Sequence, residues 1–85
     1  MDLPCTLVIT AVMPIPQSWS PKRRKEALEG RLMHTSKPDW DNLGKGISDA
    51  LNGVAWKDDS HVYWSNVRKI YGTEPRVDVT VTTTI

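Results

Sequence analysis

Asp39, Asp41, Asp58 and Asp59 lie in one short stretch, Lys37 to Asp59, together with a lysine, Lys45. Asp39-x-Asp41 places two carboxylates on the same side of an extended segment, close enough to share a cation. Asp58-Asp59 arrives from the far end of an intervening helix and could supply a third ligand. Few carboxylates, oxygen donors alone and room for water are the conditions that Mg²⁺ prefers. Gathered without a metal, such carboxylates would repel each other and repel phosphate. Lys45, four residues after Asp41, reaches the same helix side. There it could hold a scissile phosphate or an attacking water and stabilise the charge that builds up in phosphodiester hydrolysis.

The same residues admit a purely structural reading. Asp39 or Asp41 could serve only as an N-cap favouring the helix dipole. Lys45 could be only an i+4 ion-pair partner worth a few tenths of a kcal/mol, and Asp58-Asp59 only a polar turn. An EF-hand loop starting at Asp39 fails, because Leu43 and Ala50 stand where its fifth and twelfth positions need oxygen ligands, despite Gly44 at the sixth.

The elements that must position these groups follow from pattern. Leu3 to Met13 carries Leu7, Ile9, Ala11 and Met13 on one alternating set and Val8 and Val12 on the other, which predicts a strand covered on both faces inside a sheet. Pro14 and Pro16 end it. Ser20-Pro21 predicts a helix start, and the helix runs to about Glu29 before Gly30. Its basic run Lys22, Arg23, Arg24, Lys25 is either a solvated face or a phosphate contact, with Trp19 beside it able to pack on a sugar or base.

Lys37-Pro38 imposes an extended approach to Asp39. A second helix is expected from Trp40 or Asp41 to Asn52, with Leu43, Ile47, Ala50 and Leu51 as its buried stripe and Gly53 at its left-handed terminus. Gly44 and Gly46 each cost that helix about 1 kcal/mol against alanine, which implies close backbone approach or a local departure from ideal geometry. His61 to Tyr71 and Arg76 to Ile85 read as strands joined by the turn Gly72 to Pro75, an antiparallel hairpin with Val77, Val79 and Val81 inward.

The run K-P-D-W-D-N-L-x-K-x-x-x-D-A-L-N-G-V-x-W-K-D-D-x-x-V, Lys37 to Val62, closely resembles the signature of the RusA family of Holliday-junction resolvases. The resemblance implies a Mg²⁺-dependent endonuclease that cuts four-way DNA junctions in pairs as a homodimer, in DNA recombination and repair. It further implies an α+β fold: a small mixed β-sheet, a helix carrying the catalytic face, and a C-terminal antiparallel hairpin. Carried over by position, the metal-binding aspartates fall on Asp39, Asp41 and Asp59 and the catalytic lysine on Lys45. Asp58 matches a secondary acidic neighbour. Lys69 matches a basic position and is a candidate DNA contact. The resemblance does not single out the other basic residues, so Lys22, Arg23, Arg24, Lys25 and Lys37 are candidate DNA contacts on charge alone. Members of the family usually begin with a further strand and helix. The chain is therefore expected to be an N-terminally short member, of the kind a prophage reading frame would encode, forming one domain over residues 1–85.

Composition agrees with a small folded domain: 85 residues, 39% hydrophobic and 25% charged, with a net charge of +1 that neither requires nor excludes nucleic acid. A core this small favours self-association. The single cysteine, Cys5, can form no internal disulfide and reads as a small buried hydrophobe in a reducing cytoplasm, and no Cys/His set has zinc spacing. The longest apolar stretch, Leu7 to Ile15, is too short to span a bilayer. His34 and His61 are expected in surface or strand roles rather than as metal ligands. Trp40, Trp56 and Trp64 are expected in core and hairpin packing. Two other readings stay open: a junction-binding protein that no longer cuts, and an interaction domain in which a cation only fastens the helix to the following turn.

Overall fold

Apolar residues on both alternating sets of the first strand call for a neighbour on each side, and that strand is central. The computed structural model describes residues 3–56 and 59–83, Asp59 by its backbone alone. The elements run β1 (Cys5–Pro14), α1 (Pro21–Leu28), α2 (Trp40–Leu51), a 3₁₀ turn (Asp59–His61), β2 (Val62–Gly72) and β3 (Arg76–Thr83). The sheet has the order β2-β1-β3, with β1 parallel to β2 and antiparallel to β3. This is the expected small α+β architecture with a mixed sheet.

The expected hairpin takes a different form. β2 and β3 run antiparallel, but they do not pair, because β1 lies between them. Four short steps from Gly72 to Arg76 reach up to ~14 Å, enough to cross two strand spacings of ~4.8 Å. In return, the most apolar strand has ladder partners on both edges. The crossing is tight. A Cβ on Gly72 would collide with the buried Val12 side chain, so only glycine fits where the chain passes over the end of β1.

The main core cluster lies on one face, while Thr10 and Val12 are buried on the other. Cys5, Leu7, Ile9 and Trp56 are buried together, and Leu43, Ile47 and Leu51 of α2 pack on them with Val62, Val67 and Val81. Cys5 is thus the buried hydrophobe expected of it. After Leu51 the chain turns at Gly53, whose φ is 79°. Gly53 donates its N–H to the Trp56 carbonyl at 2.7 Å, and the turn drops Trp56 into the core at 1% exposure.

Several packing expectations are corrected. Ala50 is exposed, because Leu43, Ile47 and Leu51 at i, i+4, i+8 already fill the contact and the helix turns Ala50 outward. Val77 and Val79 lie on the core-facing side by register with Ala11 and Ile9, yet they are 45% and 39% exposed, since α2 packs toward β2 and leaves β3 largely uncovered. Trp64 is 50% exposed: the irregularity between Cys5 and Thr6 pairs Trp64 with Thr6, on the face away from α2. Trp40 is 65% exposed, standing at the first position of α2 ahead of the stripe that meets the sheet. α2 and the short α1 both pack toward β2 and leave much of a sheet of long strands uncovered, which makes an extended body. Its radius of gyration is 15.3 Å, against ~12 Å for a compact chain of this length. Among the described residues, no helix is long and apolar enough to cross a membrane.

Candidate active site

The acidic motif begins where Lys37-Pro38, a cis peptide bond, leads into Asp39. Asp39 is extended, with φ −66° and ψ 149°, and its carbonyl accepts the first helical bond from Leu43 N–H at 3.0 Å. Its side chain makes no capping hydrogen bond. The carboxylate therefore stands at a helix N-terminus without serving the cap, although the positive end of the dipole favours its charge. Asp41 lies in the first turn and, among the described residues, accepts only its neighbour's N–H, from Asn42 to Oδ1 at 2.9 Å.

Two open grooves meet at Trp40 and Asp41. One lies between α2 and the sheet, where Asp41, Lys45 and Ser48 face Ser65 and Val67. The other, of about 460 Å³, is lined by His34, Thr35, Asp39, Trp40, Asp41 and Lys69. Asp39 and Asp41 thus share one groove, and Asp41 and Lys45 share the next. α2 runs along β2 so that its N-terminus lies by Lys69 and its middle by Val67. Gly44 makes that seat possible, since a Cβ there would stand 3.2 Å from Val67 Cγ2. The close approach expected at Gly44 is present, whereas a Cβ at Gly46 would meet nothing within 4 Å.

Lys45 is not the ion-pair partner of Asp41. Its ammonium lies 3.9 Å from Asp49, one turn onward, with both side chains mostly in water. Such a pair contributes ~0.3–0.5 kcal/mol and leaves the ammonium free to move.

Lys69, a candidate DNA contact by the resemblance, donates its Nζ to the carbonyls of Ser36 at 2.7 Å and Pro38 at 2.9 Å. It ties the strand to the loop that delivers Asp39. His34 lies in the same groove. Burial, and secondarily the positive charge of Lys69, hold its pKa below 6.5. The neutral ring packs edge-on against Tyr71 at 5.3 Å, and its Nδ1 is buried with no hydrogen-bond partner among the described residues. Tyr71 in turn meets Trp19 at 5.3 Å, and the Arg23 guanidinium sits 3.9 Å above the Trp19 ring. An aromatic chain therefore links the basic helix α1 to the acidic groove. Lys22, Arg23, Arg24, Lys25 and Lys37 are all exposed.

Asp58 lies outside the described residues, and so does the side chain of Asp59. Asp59 opens the 3₁₀ turn that leads into β2. Among the described residues, no three His, Cys, Asp or Glu side chains are gathered to hold a metal. The donors that are described, two carboxylates with no competing side-chain partner among the described residues, offer oxygen alone, and that set fits a hard divalent cation such as Mg²⁺. Asp39, Asp41 and Lys45, singled out by their spacing, line the two grooves. Spacing gave no sign that His34, Thr35, Ser48 and Ser65 line them too, since only the packing of the loop and α2 against β2 brings these residues close.

The chain matches the family model for endodeoxyribonuclease RusA over residues 1–82. It is 42% identical over 80 residues to an uncharacterized protein, YqaN, of Bacillus subtilis strain 168, a match covering 92% of this chain and 56% of that protein. The chain thus spans about half the length of the curated relative it matches. No solved structure matches it.

Proposed function

This chain belongs to the RusA endodeoxyribonuclease family, and on that premise we propose that it hydrolyses phosphodiesters of four-way DNA junctions with Mg²⁺. The observation that supports this reading is the meeting of two grooves at Asp41, one shared with Asp39 and the other with Lys45. Asp39 and Asp41, with Asp59, would hold the cation. When bound, Mg²⁺ supplies an activated water and shields phosphoryl oxygens. Lys45, loosely paired at 3.9 Å and mostly in water, is free to meet the charge that develops on the phosphoryl group. Trp40, exposed between the two grooves, presents a flat apolar face to a sugar or base. The exposed cations of α1 and Lys37 contact flanking phosphates and make binding salt-dependent. Paired, symmetric nicks need two such sites, supplied by a homodimer with two-fold symmetry.

The test is nicking of a labelled four-way junction and a matched linear duplex, in Mg²⁺ or chelator, by the wild type and by Asp41→Asn. Junction-selective cutting that requires Mg²⁺ and vanishes in the variant is expected. Junction binding with no cut by the wild type would turn the proposal to a recognition protein without catalysis. Equal affinity for both DNAs with no cutting would overturn both.

A further inference from the structure

Lys69 is half-buried on β2, opposite the small, buried Ala11 of β1 and on the same sheet face as Val67, which seats α2. From there its ammonium meets two carbonyls that bracket Lys37-Pro38. The second of these, Pro38 C=O, belongs to the peptide bond that ends at the Asp39 nitrogen. The bond at 2.9 Å therefore acts on the unit from which the Asp39 side chain departs. An ammonium has three donors and no acceptor, and here two are already spent on the chain's own backbone. Contact with a DNA phosphate would compete with those bonds.

We propose that Lys69 is a positioning residue, which fixes the loop before α2 and so aims the Asp39 carboxylate at the divalent cation, rather than a contact to DNA. The inference rests on the proposed function, since it takes Asp39 as a cation ligand. Groups that orient a ligand commonly change metal affinity 10–100-fold when removed, though they never touch the metal. The Thr35 and His34 positions lie on the same loop and line the same groove, so slackening the tie widens the groove on the side of Asp39 and leaves Lys45 unmoved.

The experiment is calorimetric titration of the DNA-free protein with Mn²⁺, for the wild type, Lys69→Met and Lys69→Arg, alongside junction binding in chelator at several salt concentrations. Lys69→Met is expected to weaken Mn²⁺ at least tenfold, while junction affinity stays within about twofold and its salt slope is unchanged. Unchanged Mn²⁺ affinity, with weaker junction binding and a slope shallower by ~0.9, would make Lys69 a phosphate contact and overturn the proposal. Where Lys69→Met fails to fold by circular dichroism, Lys69→Arg decides. A phosphate contact tolerates the exchange, whereas the planar guanidinium cannot reproduce a compact ammonium caught between two carbonyls, so Mn²⁺ affinity falls. Retention of both affinities in the arginine variant overturns the proposal. A wild type that takes up no Mn²⁺ overturns the functional reading together with this one; a wild type that binds Mn²⁺ but does not cut removes the nuclease reading alone and leaves the Lys69 comparison decisive.

Discussion

Alanine at Gly44 and at Gly46 offers the same gain in helix propensity, about 1 kcal/mol, in two very different surroundings. At Gly46 a Cβ meets nothing within 4 Å, so the gain is expected in full. For a chain of this size that raises the melting temperature by roughly 4–8 °C. At Gly44 the new Cβ stands 3.2 Å from Val67 Cγ2, whereas carbon atoms rest at ~3.5–4.0 Å. α2 must move off the sheet by a few tenths of an ångström or Val67 must yield. Overpacking of this kind costs ~1–3 kcal/mol, which cancels or exceeds the propensity gain. The displacement matters more for the site than for stability, because Asp41 and Lys45 flank Gly44 on the same helix. Small misplacements of reacting groups can cost up to ~100-fold in rate, so nicking by Gly44→Ala is expected to fall roughly tenfold. Thermal unfolding and junction nicking are measured on both variants, and on Gly44→Ala combined with Val67→Ala. Removing Cγ2 relieves the contact, so the pair is expected to be more stable than additivity allows by ~0.5–2 kcal/mol. If Gly44→Ala stabilised as much as Gly46→Ala and kept full nicking activity, the close seat of α2 on β2 would be wrong.

Three further outcomes are expected. Because burial holds the His34 pKa below 6.5, the folded state takes up its proton less readily than the unfolded chain. The stability tied to neutral His34 is therefore present above pH 6.5 and lost as pH falls below it. Urea unfolding in chelator from about pH 7.5 to about pH 5, a window around that ordinary value, should show a flatter profile in His34→Gln; an equally steep loss would remove His34 as the cause. Gly72→Ala should destabilise by ~1–3 kcal/mol through its clash with Val12, and adding Val12→Ala should recover part of that loss, as read by thermal unfolding. Neutralising Lys22 and Arg24 together should make the salt dependence of junction binding shallower by up to ~1.8 if both meet phosphate, and an unchanged slope would leave them a solvated face.

Much of this protein is legible without its structure because the signals are local. The strand at β1, the Ser20-Pro21 start of α1, the Leu43, Ile47, Leu51 stripe and the Gly53 terminus each depend on neighbours a few residues away. The spacing of Asp39, Asp41 and Lys45 is set by one extended step and one helical turn, so it too could be read directly. Ser20, for example, caps α1 as expected by accepting from Arg23 N–H at 3.2 Å.

What the tertiary structure decided concerns partners distant in sequence. Proximity along the chain favoured a β2–β3 hairpin, but the need of β1 for neighbours on both edges placed it between them. Trp40, Trp56 and Trp64 are alike as residues, yet only Trp56 is buried, because burial depends on which sheet face the turn after α2 and the irregular start of β2 present to the helix. The sequence marks Lys69 as a basic position on a strand, but only the fold brings it to the loop 31 residues away whose carbonyl it bonds. Composition and spacing determine which groups are available and how they lie within one element. Which of them meet is a matter of packing between elements, and no periodicity within one segment encodes it.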